Sequence, residues 1–142
     1  MISEILNKNI CNKGKVKGTK AELLFEIFCL ENGWECAKPI LDMLPYDYVV
    51  VGIEDTFKKV QVKSVFLDRK TNRYRCDIRK SKPNSNDKQK YSDGDFDYLA
   101  INFENIGWVL YPWEKVKSRS QISIAKAEIE SHDGIQLLRQ KL

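Results

Sequence analysis

The sequence predicts an α+β protein in which a mixed β-sheet is flanked by helices, and three observations carry that expectation. Apolar residues Ala21, Leu24, Phe25 and Phe28 recur at the spacing of one helix face. The β-branched run Val49, Val50, Val51 and the alternating stretch Val60, Gln61, Val62, Lys63 lie on either side of a turn containing Gly52, as in a hairpin. Further strand patterns and short helical segments follow in the second half, so helices and strands do not alternate regularly.

Taken in order, Met1 to Lys17 reads as a short helix and a lysine-rich lead-in. Gly14 to Lys20 lacks the spacing and the G-K-[ST] ending of a phosphate-binding loop, so no nucleotide site is expected there. Thr19 to Asn32 is the first long helix, widened by Leu23, Ile27 and Leu30, with Gly33 placed as its C-terminal cap. Thr19 and Glu22 have the spacing of a capping box, which would explain Glu22 structurally; alternatively Glu22 reaches toward Asp47. Trp34 to Pro39 is a short strand, and Leu41 to Pro45 a turn leading to Tyr46 and Asp47.

The central hairpin follows. Side chains alternate along a strand, so Gln61 and Lys63 point one way and Val60, Val62 and Val65 the other. An acid and an amide oxygen set against one lysine can hold a hard divalent cation together with a phosphate. Strand character continues from Val65 to Lys82, with a turn at Asp68 to Asn72 and arginines on one face at Arg73, Arg75 and Arg79. KPNSNDKQK reads as loop, and Lys88 to Asp93 as one helical turn. Phe96 to Phe103 is a buried strand, Asn105 to Gly107 a turn, and Trp108 to Tyr111 the hairpin partner. A helical segment from Pro112 to Val116, a strand from Gln121 to Ile124 and one or two helices after Ala125 complete the chain, with Ser131 and Asp133 as N-caps.

Composition narrows the function. A length of 142 residues fits a single domain spanning 1–142, and 42% hydrophobic with 31% charged residues is ordinary for a globular chain. No apolar run is long enough for a membrane span, and there is no secretory-signal pattern, so the expected location is cytoplasmic, with no membrane partner. Four scattered cysteines without a C-x-x-C pair suggest reduced thiols. His132, the one histidine, reads as a solvated side chain, which argues against a Ser-His-Asp arrangement. The net charge is +4, but the stretch from Lys58 to Lys90 carries 12 Lys or Arg against three Asp, leaving the remainder net acidic. This basic insert, around residues 66–92, is either solvated surface or a footprint for a polyanion.

Glu22 on the first helix, P-Y-D at Pro45 to Asp47 and Q-x-K at Gln61 to Lys63 together resemble the PD-(D/E)XK nuclease superfamily. Within it the chain most resembles the group I intron homing endonucleases of that fold, which share a D-F-D-Y strand (Asp95 to Tyr98) and a W-x-L-x-P strand end (Trp108 to Pro112). Archaeal Holliday junction resolvases are next by pattern. The resemblance implies a restriction-endonuclease-like core and a Mg²⁺-dependent, site-specific DNA endonuclease, with Mn²⁺ as a substitute cation and no nucleotide cofactor.

By the same resemblance Asp47, Gln61 and the Val62 carbonyl would ligate the metal, Glu22 would hold a water beside it, and Lys63 would face the scissile phosphate. Products would carry a 5′ phosphate and a 3′ hydroxyl. Gln61 departs from the Asp or Glu usual at its position, which keeps a catalytically inactive DNA-binding module open as an alternative, beside a junction resolvase. Arg73, Arg75 and Arg79 are candidates for reading a groove of double-stranded DNA, and Lys80, Lys82, Lys88 and Lys90 for holding phosphates. Cutting both strands calls for a homo-oligomer, a dimer or tetramer, for which the chain after Ile122 and Trp108 with Trp113 could supply contacts.

Overall fold

A computed structural model describes residues 12–104, 106–131 and 133–142. The short helix expected near the N-terminus, Cys11, Asn105 and His132 therefore fall, wholly or in large part, outside the described residues. Helix α1 (Lys13–Glu31) leads into strands β1 (Glu35–Ala37) and β2 (Tyr48–Val51), a single 3₁₀ turn (Ile53–Asp55) and the long strand β3 (Phe57–Ser64). Four short strands follow: β4 (Phe66–Asp68), β5 (Arg73–Asp77), β6 (Arg79–Ser81) and β7 (Lys88–Lys90). The chain then forms β8 (Tyr98–Phe103), β9 (Gly107–Pro112), α2 (Trp113–Val116), β10 (Gln121–Ala125), α3 (Lys126–Glu130) and α4 (Gly134–Gln140).

The main sheet has the order β1-β2-β3-β8-β9. Its outer pairs are antiparallel, whereas β3 and β8 run parallel, with Gln61 opposite Leu99 and Lys63 opposite Ile101. A parallel pair needs a crossover. Here the crossover carries β4 to β7, which form part of a second sheet, β10-β5-β4, and a separate β6-β7 ribbon. The expected mixed sheet flanked by helices is present, in the restriction-endonuclease-like arrangement.

Period-2 alternation divides the core between the two faces of the sheet. On one face Ala21, Phe25 and Cys29 of α1 pack against Tyr48, Val50, Val60, Val62, Ala100 and Trp108. Phe25 lies 5.4 Å from the ring centroids of both Tyr48 and Trp108, so Trp108 is core rather than an available contact surface. The other face buries Leu99, Ile101, Phe103 and Val109 against Tyr74, Cys76 and Ile122 of the second sheet and Ile129 and Leu138 of the C-terminal helices. Val65 belongs to this second cluster and not, as expected, to the face of Val60 and Val62. The reason is parity: β3 stops at Ser64, and Val65 keeps the side of Gln61 and Lys63.

Four other local expectations need correction. Helix α1 starts six residues before Thr19, because Asn12 caps it, its Oδ1 accepting from the N–H groups of Gly14 (2.8 Å) and Lys15 (3.3 Å). Thr19 is therefore mid-helix and the capping box does not form. Lys88 to Lys90 is extended rather than helical, since pairing with Arg79–Ser81 gives its backbone ladder partners. Ser131 closes α3 instead of opening the next helix, its hydroxyl donating to the Glu128 carbonyl; Asp133 does stand at the N-cap position of α4, without a side-chain capping bond. The arginine series is broken at Ile78, so Arg79 lies on a different ribbon from Arg73 and Arg75. Gly33, at φ +70° just past α1, terminates that helix as expected.

Two glycines test this architecture in opposite directions. Gly52 turns the β2–β3 hairpin at φ +124°, and a Cβ there would lie 2.5 Å from Trp34 Cδ1, so Gly52→Ala should lose more than about 1 kcal/mol. Gly18 lies mid-helix with nothing within 4 Å of its Cβ position, so Gly18→Ala should gain about 0.5–1 kcal/mol. Urea denaturation of both variants reads the difference.

Candidate active site

The site forms where β3 runs on beyond the end of its antiparallel partner. Pro45, which has no N–H, turns the chain away before β2, and the last main-chain bond across the pair is Asp47 N–H to the Val60 carbonyl, 2.9 Å. Two residues further along β3, Val62 presents its N–H and C=O on the same side with no strand to receive them. The Asp47 side chain takes the N–H, Oδ2 accepting from Val62 N at 2.8 Å. The Gln61 amide serves both oxygens, Nε2 donating to Asp47 Oδ2 at 2.8 Å and to the Val62 carbonyl at 3.2 Å. Asp47, Gln61 and the Val62 carbonyl thus converge on one point.

Lys63 lines the same two grooves as Asp47 and Gln61. Its Nζ donates to the Arg79 carbonyl at 3.2 Å and sits 5.8 Å from the ring centroid of Tyr91. Lys80 shares that ring from 5.8 Å and pairs with Asp95 at 2.6 Å. Tyr91 is a residue that sequence reasoning missed, because it stands in a polar segment with no periodicity to mark it. Glu22, released from any capping role, borders a groove with Asp47 and binds Lys38 at 2.6 Å. Lys38 was also missed; a lone lysine at a strand end gives no signal until the fold brings Glu22 beside it.

Burial pushes the Asp47 carboxyl up to about 6; Val62 N–H, Lys63 and Lys38 pull it down, while Glu22 adds to the rise. Burial lowers the Lys63 ammonium, against the attraction of Asp47 and Asp77. Both charges are therefore costly in the bare protein, and each is relieved by the other and by an incoming cation or phosphate. The oxygens of Asp47, the Gln61 amide and the Val62 carbonyl are hard donors of the kind that suit Mg²⁺. The donor chemistry fits, although only one is a carboxylate, and among the described residues no three His, Cys, Asp or Glu side chains gather as cation ligands.

The basic residues fall into two groups. Arg79, Lys80, Lys82 and Lys88 line the groove with Asp47 and Lys63, Arg79 bound to Asp77. Lys90, on the same β6–β7 ribbon, donates to the Ser118 carbonyl at 3.0 Å. Arg73 and Arg75 stand on the second sheet, bound to Ser123 and Asp68 respectively. The structure thus places Arg79, Lys80, Lys82 and Lys88 at the groove and leaves Arg73 and Arg75 outside its lining.

A sheet with a parallel central pair, packed against a helix bearing an acid, with D just before one strand and Q-x-K on its neighbour, is the arrangement of one nuclease fold class, and the chain belongs to the PD-(D/E)XK endonuclease family, whose profile matches residues 12–140. Among solved structures it is similar to the bacterial homing endonuclease I-Ssp6803I, with a TM-score of 0.71 and 27% identity over 92% of this chain and 95% of that one. No curated protein matches the chain.

Because the Asp47 carboxyl is raised from 3.8 to about 6, the stability tied to its neutral form is present below the unfolded value and lost as pH rises through the folded one. In metal-free buffer, urea titrations between about pH 4 and 7 should show this loss in the parent and not in Asp47→Asn.

Proposed function

We propose that the chain is a Mg²⁺-dependent, site-specific endonuclease of double-stranded DNA, of the homing-endonuclease kind. The observation that carries the reading is the convergence of Asp47 Oδ2, the Gln61 amide and the Val62 carbonyl beside the Lys63 ammonium, in a groove walled by the basic β6–β7 ribbon. Family membership and the likeness to I-Ssp6803I support it.

A bound Mg²⁺ would supply Lewis-acid polarisation of a phosphoryl oxygen and offset its charge, with Mn²⁺ able to substitute. Asp47 and the Val62 carbonyl would hold the cation, and Gln61 would join them through its amide oxygen. Lys63 offsets the negative charge that builds on the phosphoryl oxygens during attack; it is fixed in advance by the Arg79 carbonyl and the Tyr91 ring, so little reorganisation is needed. Glu22, held by Lys38, accepts a hydrogen bond from the attacking water and orients it. Water adds to phosphorus as the bond to the 3′ oxygen breaks, and one water proton ends on that oxygen, giving a 5′ phosphate and a 3′ hydroxyl. A symmetric homo-oligomer would bring a second site to the other strand.

Mapping cut ends in a mixed-sequence plasmid pool with Mg²⁺ tests the reading. The parent should cut at defined sequences, chelation should stop it, and Asp47→Ala and Lys63→Ala should each fall by about 100-fold or more. If the parent and Asp47→Ala are equally inert while both bind DNA, the chain is a binding module without chemistry; preferential cutting of four-way junctions over linear duplex makes it a resolvase. Lys82→Ala with Lys88→Ala should weaken binding to all sequences alike and flatten the salt dependence of log Kd by about one to two units of slope, read by anisotropy.

A further inference from the structure

We propose that the loop Ile40–Leu44 is an apolar wedge that enters the base stack of DNA beside the cleavage point. The inference rests on the DNA-endonuclease reading above and concerns how that substrate is held. Ile40 is fully exposed, and Met43 (84%) and Leu41 (64%) are largely so, with Leu44 beside them and Asp42 the one charged residue between them. None of these four belongs to either core cluster. A solvent-facing run of this kind marks a contact surface rather than a packing residue.

Its location says what the contact is. One groove joins Ile40 and Leu41 to Glu22, Lys38 and Asp47; the other joins Met43 and Leu44 to Asp47, Gln61 and Lys63. A protein partner or a lipid surface covering this loop would close both grooves, so the occupant is the molecule that the grooves receive. The phosphates of that molecule are matched by Lys82 and Lys88 across the groove, whereas Ile, Leu and Met offer nothing to a phosphate. They match the faces of bases, which become available when a step is unstacked.

The loop is braced for such a role. Pro39 and Pro45 restrict the backbone at its two ends, and Lys38, immediately before it, is tied to Glu22 on α1. Asp47 follows Pro45 by two residues, so a step opened by the loop lies beside the candidate cation ligands. A kink at that step presents the adjacent phosphate to Lys63. The wedge also favours flexible pyrimidine–purine steps, which gives sequence preference without a base-edge hydrogen bond.

The test uses short mixed-sequence duplexes with 2-aminopurine, whose fluorescence rises on unstacking, placed at TA and CA steps, with binding read separately by anisotropy. The parent should raise the fluorescence. Ile40→Ser/Met43→Ser, with an unchanged thermal midpoint, should bind within about threefold and leave the fluorescence at its free value. Its Mg²⁺-dependent cleavage of matched duplex should fall by about tenfold or more and recover when the cut step carries a mismatch.

An equal rise with both proteins, no rise with the parent at saturation, or a cleavage loss that the mismatch does not relieve overturns the wedge. So does a variant whose defect is lost self-association in sedimentation, which would assign the loop to a second copy of the chain. A parent that raises the fluorescence and cuts nothing keeps the wedge and retires the endonuclease reading; one that cuts without raising it does the reverse.

Discussion

The site depends on a mismatch in length between two neighbouring strands. Strand β3 continues past the point at which β2 has ended, and the main-chain groups of Val62 would be left without partners in a buried position. Leaving a buried N–H unpaired costs about 1–3 kcal/mol, so a side chain that reaches it is strongly favoured. Asp47 is that side chain, and its position is fixed by the strand ladder it would otherwise have extended. The same hydrogen bond that completes the fold therefore aims a carboxylate at the Val62 carbonyl and the Gln61 amide. Gln61, unable to carry charge, fits this arrangement because it can face the two oxygens with its NH₂ or turn to add a third.

The electrostatics reinforce that geometry. The surface pairs of Arg79 with Asp77 and Arg75 with Asp68 lie in the basic insert, where solvent screening leaves them little contribution to stability. Lys80 is held more firmly, by Asp95 and by the Tyr91 ring it shares with Lys63. Tyr91 in turn packs edge-on against Phe96, and Phe96 against Trp113. The lysine that faces the grooves is thus supported by a line of aromatic rings reaching into the second core, which makes its placement a property of the fold rather than of a free side chain.

Much of this was legible in the sequence where period and motif coincide. The hairpin around Gly52, the buried strand from Tyr98 and the alternation that puts Gln61 and Lys63 together follow from side-chain parity, which short-range residue order determines. The readings that failed did so where local and distant forces compete. Thr19 and Glu22 have capping-box spacing, but Asn12 captures the helix start and the intervening residues, although lysine- and glycine-rich, extend it. Lys88 to Lys90 has no strand propensity to speak of and becomes extended because Arg79–Ser81 is there to pair with it. Tyr91 and Lys38 carry no pattern at all, and only the tertiary arrangement gives them neighbours.

The parallel pairing of β3 with β8 has a consequence for synthesis in the cell. The two strands are joined through everything from Val65 to Asp97, so the register that steadies Gln61 and Lys63 is a long-range closure. A nascent chain that has emerged only as far as the hairpin holds Asp47, Gln61 and Lys63 without the neighbour strand, and without the Tyr91 ring. The surroundings that place these side chains are therefore complete only once the second half of the chain has folded onto the first, and a truncated translation product would carry the hairpin without them.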